Sequence, residues 1–333
     1  MDDHRYKNGI ADWVIKNGGK IQPLLLDEEI SFSKGTGLMN PSIFVDGDTI
    51  LVNLRHTNYT LYHSENKIFA HPWGPLQYLH PENDQTLTTR NYLQWLDDDL
   101  NVVNTVQIDT VLDQKPQWHF IGLEDARLFK WKNKFYICGV RRDDNTTGSG
   151  RMQLQELNVT YEKVTEVARH KIPAPGKNLS YCEKNWMPIT DMPYHFVKWC
   201  NPTEIVKFDI ETGACNTVML DENKRYQLPN DLRGSSQLIP FKDGHLAITH
   251  EVNLYSDIQG RKDGKYRHRF VYWDKNWNLK TSEFFHFMTG EIEFCAGMAY
   301  HNEHLLISFG FQDNAAYILK MPVSLLSDFI NIG

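Results

Sequence analysis

The chain reads as one β-hairpin after another, and this succession limits the possible folds more than any other feature. Residues 42–55 place two β-rich arms around the turn Asp46-Gly47-Asp48, and residues 92–96 and 102–108 flank the acidic turn Asp97-Asp98-Asp99. Residues 128–131 and 135–138 are aromatic arms around residues 132–134, and residues 198–209, 237–250 and 268–280 repeat the theme. Arms rich in β-branched and aromatic residues, separated by Gly, Asn and Asp turns, are hairpin signals. Helix is expected only at the ends, at residues 10–16 and 323–330, with a first strand over 20–26.

Many short strands define an all-β sandwich, barrel or propeller. Polar clusters stand before hairpins near residues 40–42, 124–127, 183–186, 233–236 and 291–294. The last four recur at intervals of about 50 to 60 residues, the length of a four-stranded blade with extended loops. Five clusters predict a five-bladed β-propeller with short helical N- and C-terminal extensions. Residues 1–333 then form a single domain, with 1–30 as the N-terminal extension and 322–333 as the C-terminal helix. In a propeller the innermost strands line one central channel, so the clusters are expected to converge on one pocket. No tryptophan-aspartate or kelch signature is present, which argues against a scaffolding propeller.

Composition narrows the partners. With 41% hydrophobic and 23% charged residues the chain can build a core. A net charge of -7 without a basic run makes nucleic acid an unsuitable partner. Cys138, Cys182, Cys200, Cys215 and Cys295 are odd in number and widely spaced, so reduced thiols are expected, with neither a disulfide framework nor a zinc site. No transmembrane window or leader is evident, and cytoplasmic residence is the default expectation. Sequons at Asn58, Asn145, Asn158 and Asn178 are then without consequence.

The densest functional motif is Glu124-Asp125-Ala126-Arg127. Three ionisable groups beside Leu123 and Leu128 are costly to desolvate unless they pair or meet a ligand. Together with residues 183–188, 233–238 and 309–314, the motif resembles the five-bladed propellers of glycoside hydrolase family 130 and the related glycosyltransferase family 108. The likeness spans residues 38–320. The family motif carries proline where this chain has Ala126, which loosens a local backbone constraint.

The resemblance implies a carbohydrate-active enzyme that makes or breaks a β-mannoside-like bond. Glycosyl transfer would run to or from phosphate, a sugar phosphate or a sugar acceptor. It also implies that Asp125 handles the proton of the glycosidic oxygen, in the phosphorylases through a sugar hydroxyl, and that Asp313 holds hydroxyls of the donor sugar.

Glycosidic bond chemistry needs a group for the leaving oxygen's proton and one to activate the nucleophile. Glu124 and Asp125 are the candidate catalytic carboxylates. Asn40, Arg55, Arg127, Asn185, Trp186, Glu251, Glu293 and Asp313 are candidate substrate-binding residues, Trp186 being blade core or sugar platform. If phosphate is the nucleophile, cations replace a second carboxylate. Lys184, Arg233, His250, His268 and Arg269 are candidates for that role, and Arg90 also lies near a strand end. Residues 141–144 (Arg-Arg-Asp-Asp) read as a solvated turn.

No metal-ligating histidine pattern or nucleotide-binding glycine loop occurs, so neither metal nor cofactor is expected. A hydrolase needs Glu251 or Glu293 opposite Asp125 with room for water. A non-catalytic glycan-binding propeller is the alternative from another class, since a fold does not dictate a function. The sequence does not specify the oligomeric state.

Overall fold

The computed structural model describes residues 9–33, 37–61, 78–79, 84, 86–176, 180–222, 226–228, 231–256 and 262–332. The sequon at Asn178 lies outside them. The fold is all-β, flanked by an α-helix at Ile10–Lys16 and a 3-10 helix at Val323–Asp328. The second of these corrects the expected C-terminal helix, which is shorter and more tightly wound than residues 322–333 suggest.

The hairpins pair as their turns dictate. Strands Glu124–Trp131 and Lys134–Arg141 are joined by Lys132 and Asn133 alone, both in the left-handed region at φ 49° and 63°. Such two-residue turns match the twist of the strands they connect.

In one sheet the order is Leu38–Asp46, Thr49–Thr57, Leu87–Leu96 and Val102–Asp109. It continues through Val164–Ile172, Arg151–Val159 and Lys134–Arg141 to Glu124–Trp131. Among the described residues, the backbone ladders of its two halves join where Val164 pairs with Ile108 and Thr165 with Asp109 in parallel, and Leu51, Leu93 and Trp95 of one half pack on Leu128, Ile137 and Leu157 of the other. A further sheet runs Met187–Pro188, His195–Cys200, Thr203–Phe208 and Cys215–Leu220, and another is built on the long hairpin Gly244–Ser256 and Lys262–Trp273. The last sheet holds Glu293–His301, His304–Phe311 and Ala315–Pro322. It is completed by Lys20–Leu24, the strand expected in an N-terminal extension.

Hydrophobic clusters fill the spaces between successive sheets. Phe129, Trp131 and Tyr136 pack on Trp186, Phe196 and Phe208; Met187 and Val197 pack on Leu238, Ala247 and Val271; Ile43 and Val52 pack on Leu306 and Ile318. Ile10 and Val14 of the helix join Phe270, Phe285 and Phe309. Each sheet therefore buries both faces, as a layered β fold requires.

The first strands of the sheets approach one another closely and are tied by side chains. Gln237, fully buried, donates to the carbonyls of Ile43 and Leu128 at 2.7 and 3.3 Å and accepts from the Met298 amide at 3.2 Å. Ser42 accepts from the Leu128 amide, and Ser308 donates to the Pro41 carbonyl. A Cβ on Gly297 would stand 2.3 Å from the Ile43 nitrogen, so only glycine allows these strands to meet.

Removing the Gln237 amide leaves buried backbone groups without their cross-sheet partner, and such a loss costs about 1–3 kcal/mol per group. Gln237→Leu is therefore expected to lower unfolding free energy by at least about 2 kcal/mol, read as a fall in the urea midpoint. A change within about 0.5 kcal/mol would show that the amide is not a tie between sheets.

Candidate active site

The strands that approach one another surround a cavity of about 280 Å³, near the small end of ligand pockets. Its polar wall carries Asn40, Arg55, Glu124, Asp125, Asp313 and a cationic group formed by Lys184, Arg233 and His250, with Asn185 beside them. The apolar wall is made of Met39, Phe120, Val252, Leu254, Ile292 and Phe294, with Tyr59 and Tyr266.

Asp125 reaches the cavity because the strand bulges there. Arg127 pairs with Cys138 but Glu124 with Val140, so Asp125 and Ala126 oppose Gly139 alone. Asp125 sits in the left-handed region at φ 52°, a conformation that Asp and Asn tolerate better than other non-glycine residues. A Cβ on Gly139 would lie 2.2 Å from the Glu124 carbonyl oxygen, which makes glycine a requirement of the bulge. Asn40 at φ 47°, Asn185 at 63° and Asp313 at 47° share the left-handed backbone and also line the cavity.

Asp125 is held by donors. Its Oδ1 accepts from Arg55 Nη1 and from Asn40 Nδ2, each at 2.7 Å. Burial alone would raise the Asp125 pKa, but Arg55, Arg127, the Asn40 amide and Lys184 together lower it below its ordinary value. Asp125 is thus a carboxylate at neutral pH. Arg55 also contacts Tyr59 at 2.8 Å, Thr89 at 3.1 Å and Glu124 at 3.4 Å. Glu124 lies 3.8 Å from Arg142 on its other side.

The cationic group is separate from these pairs. Among the described residues, neither Lys184 nor Arg233 makes a side-chain hydrogen bond or ion pair. Burial, followed by the positive surroundings of His268, Lys184, Arg233 and Arg127, holds the His250 pKa well below its ordinary value. The ring is neutral, stacked on Tyr266 at 5.8 Å, and its Nδ1 meets Ser235 Oγ at 3.3 Å. A neutral imidazole beside two unpaired cations is a setting that an anion would stabilise.

Six residues expected at the site lie off the cavity wall. Arg127 is fully buried behind it and donates to the Asp125 carbonyl at 2.7 Å, the Ser235 carbonyl at 2.8 Å and Asn185 Oδ1 at 3.3 Å. Trp186 is in the core, its indole donating to Glu183. Glu251 is buried against Arg269, which also donates to the Ser282 carbonyl. His268 is buried beside Phe285 and Phe287.

Glu293 accepts the amides of Phe287, Met288 and Gly290 and so shapes that loop. Burial pushes its pKa up to about 7 against those three donors. Residues 141–144 are no solvated turn, since Arg141 is buried and binds Asp143 and Asp113.

Tyr59, Tyr266, Phe120 and Phe294 are wall residues that sequence reasoning did not select. Phe294 had a readable signal. It follows Glu293 on a strand, and of two such neighbours only one faces a given side.

In fold, the chain resembles enzymes of glycoside hydrolase family 130, a family of mannoside phosphorylases and hydrolases. A β-1,2-mannobiose phosphorylase from Listeria innocua, solved with β-1,2-mannobiose, matches at a TM-score of 0.55 and 14% identity, over 92% of this chain and 96% of that one. A mannose phosphorylase from Leishmania mexicana, solved with phosphate ion, matches at 0.50 and 10% identity, over 97% and 95%. A third structure is described with family 130 hydrolases that target β-1,2-mannosidic linkages in Candida mannan. It matches at 0.52 and 11% identity, over 86% and 85%. At such identities the likeness is one of fold. No protein-family model and no curated protein matches the sequence.

Because Arg55 is the nearest charge on Asp125, Arg55→Met is expected to raise the Asp125 pKa. Titration of carboxylate carbon resonances in aspartate-labelled protein reads this directly. An unchanged Asp125 titration would show that Arg55 does not set its charge.

Proposed function

We propose that the chain is a carbohydrate-active enzyme on a five-bladed β-propeller, transferring a β-mannosyl-like unit between an oxygen acceptor and phosphate. The observation that carries this reading is the division of one cavity into a carboxylate at Asp125 and a cationic group at Lys184, Arg233 and His250. Contacts that link Leu38–Asp46 to Glu124–Trp131, Glu124–Trp131 to Met187–Pro188, His195–Cys200 to Arg233–Gly234, Gly244–Ser256 to Glu293–His301, and Glu293–His301 back to Leu38–Asp46 support the blade count. The fold likeness to mannoside phosphorylases supports the substrate class.

In the synthetic direction a sugar 1-phosphate places its phosphate on the cationic group. The bond from C1 to the phosphate oxygen breaks as the acceptor oxygen bonds to C1, through an oxocarbenium-like transition state. The acceptor proton passes to Asp125, directly or through a sugar hydroxyl, and then to the released phosphate. The lowered pKa keeps Asp125 ionised and so able to accept that proton, although it also makes the carboxylate a weak base. In cleavage the same group delivers the proton, by microscopic reversibility. Asp313, Asn40 and Asn185 are placed to bind sugar hydroxyls, and Glu124 holds Arg55.

Transfer to phosphate is favoured over hydrolysis by one placement. Glu251 and Glu293, the carboxylates that a water-activating mechanism would call on, are bound to Arg269 and to loop amides outside the cavity.

Purified protein supplied with mannose 1-phosphate and simple sugar acceptors is expected to release phosphate and form a new glycoside. Asp125→Asn should lower that rate by about 10²–10⁴-fold while mannose binding, followed calorimetrically, is retained. Equal turnover by Asp125→Asn would remove Asp125 from the chemistry. Arg233→Met is expected to raise the phosphate KM at least about tenfold, the loss of one charged contact. An unchanged KM would move the phosphate site elsewhere.

A further inference from the structure

A second cavity, of about 260 Å³, opens where the two halves of the longest sheet part. Beyond the pairs Val164 with Ile108 and Thr165 with Asp109 the strands separate, and the gap is lined by polar side chains. Arg90, Asn91, Gln107, Asp109, Arg141 and Gln155 contribute to it, over a small apolar patch at Ile108 and Leu123. Its size is close to that of the central cavity.

We propose that this seam cavity binds a neutral monosaccharide. The first reason is an unmet acceptor. Gln155 is fully buried and lines the cavity; its Nε2 donates to Gln153 at 3.2 Å, and among the described residues its Oε1 has no hydrogen-bond partner. A buried amide oxygen left without a donor is destabilised, and a ligand hydroxyl would satisfy it.

The second reason is the charge balance. Arg141 is spent on Asp143 and Asp113, and Arg169 on Asp113 and Glu166. Arg90, held over the Phe32 ring at 4.6 Å, is the remaining cation of the lining. Asp109 and Asp113 in the same lining oppose an anion. A partly open cavity lined by donors and acceptors, with an apolar patch at Ile108 and Leu123 for a ring face, matches a polyhydroxylated ring.

The place of this site gives it significance. Gly122 and Leu123 form its wall and lead directly to Glu124 and Asp125. Asn91 holds the Leu123 carbonyl at 2.9 Å, and Thr89, also in the lining, accepts from Arg55. A bound ring would therefore touch the back of the segment that presents Asp125.

The test is a crystal of the full chain soaked with D-mannose, together with calorimetric titration of mannose in solution. The expected result is a ring in the seam within hydrogen-bond distance of Gln155 and Arg90, and a binding step that Arg90→Met weakens about tenfold, as expected for one charged hydrogen bond. The step belonging to the central cavity should be unaffected by Arg90→Met.

Ordered water alone in the seam at saturating mannose would overturn the proposal. So would binding at crystal concentration only, with every solution step unchanged in Arg90→Met. Central and seam occupancy are read separately, so failure of one leaves the other tested.

Discussion

Burial of the Arg127 guanidinium is the constraint on which the site depends. A fully buried arginine is tolerated only when its donors are met. Here they are met by the carbonyls of Asp125 and Ser235 and by the side chain of Asn185. Asp125 lies in a strand, Asn185 just before Met187–Pro188 and Ser235 just after Arg233–Gly234, so one side chain fixes the relative positions of segments beside three sheets. The bond to the Asp125 carbonyl also stabilises the left-handed bulge that turns the Asp125 carboxylate into the cavity. Arg127 is in this sense a positioning residue, lying under the Phe294 ring at 5.5 Å and out of reach of a ligand.

Around that anchor the cavity keeps opposite charges apart. Arg55 answers Asp125 and Glu124, while among the described residues Lys184 and Arg233 face the cavity without an ion-pair partner. Lys184 and Arg233, grouped on one side of a partly enclosed space, repel one another in the empty protein. Burial first, and those neighbours after it, hold the His250 pKa low, so the ring stays neutral beside them. Such imbalance at a cavity is the expected mark of a site shaped for an anion, and it is the basis of the proposed phosphate role.

Much of the architecture was legible because turns and alternation are local. The α-helix falls at Ile10–Lys16 as read from sequence, and the hairpins at Asp46-Gly47-Asp48 and Lys132-Asn133 fall where their turn residues stand. The site was half legible, and strand alternation accounts for part of the rest. Sequence reasoning selected neighbours in pairs, His250 with Glu251, His268 with Arg269 and Asn185 with Trp186. Successive side chains on an extended strand point to opposite sides, so His250 reaches the cavity and Glu251 does not. Both His268 and Arg269 miss it.

Glu124 and Asp125 escape the rule because the bulge opposite Gly139 breaks the alternation, and both line the cavity. The left-handed Asn40, Asp125, Asn185 and Asp313 show the signal that was available: Asp and Asn at or just before the start of a strand, where a bulge or turn needs positive φ. The aromatic wall at Tyr59 and Tyr266 arises from how strands of separate sheets converge, which no local pattern encodes.

The most direct measurement is the product balance for β-linked mannobioses of each linkage, incubated with and without inorganic phosphate. The account expects cleavage only when phosphate is present, giving mannose 1-phosphate and mannose in equal amounts. Free mannose as the sole product, formed at the same rate without phosphate, would contradict it and make the cationic group a binding feature of a hydrolase.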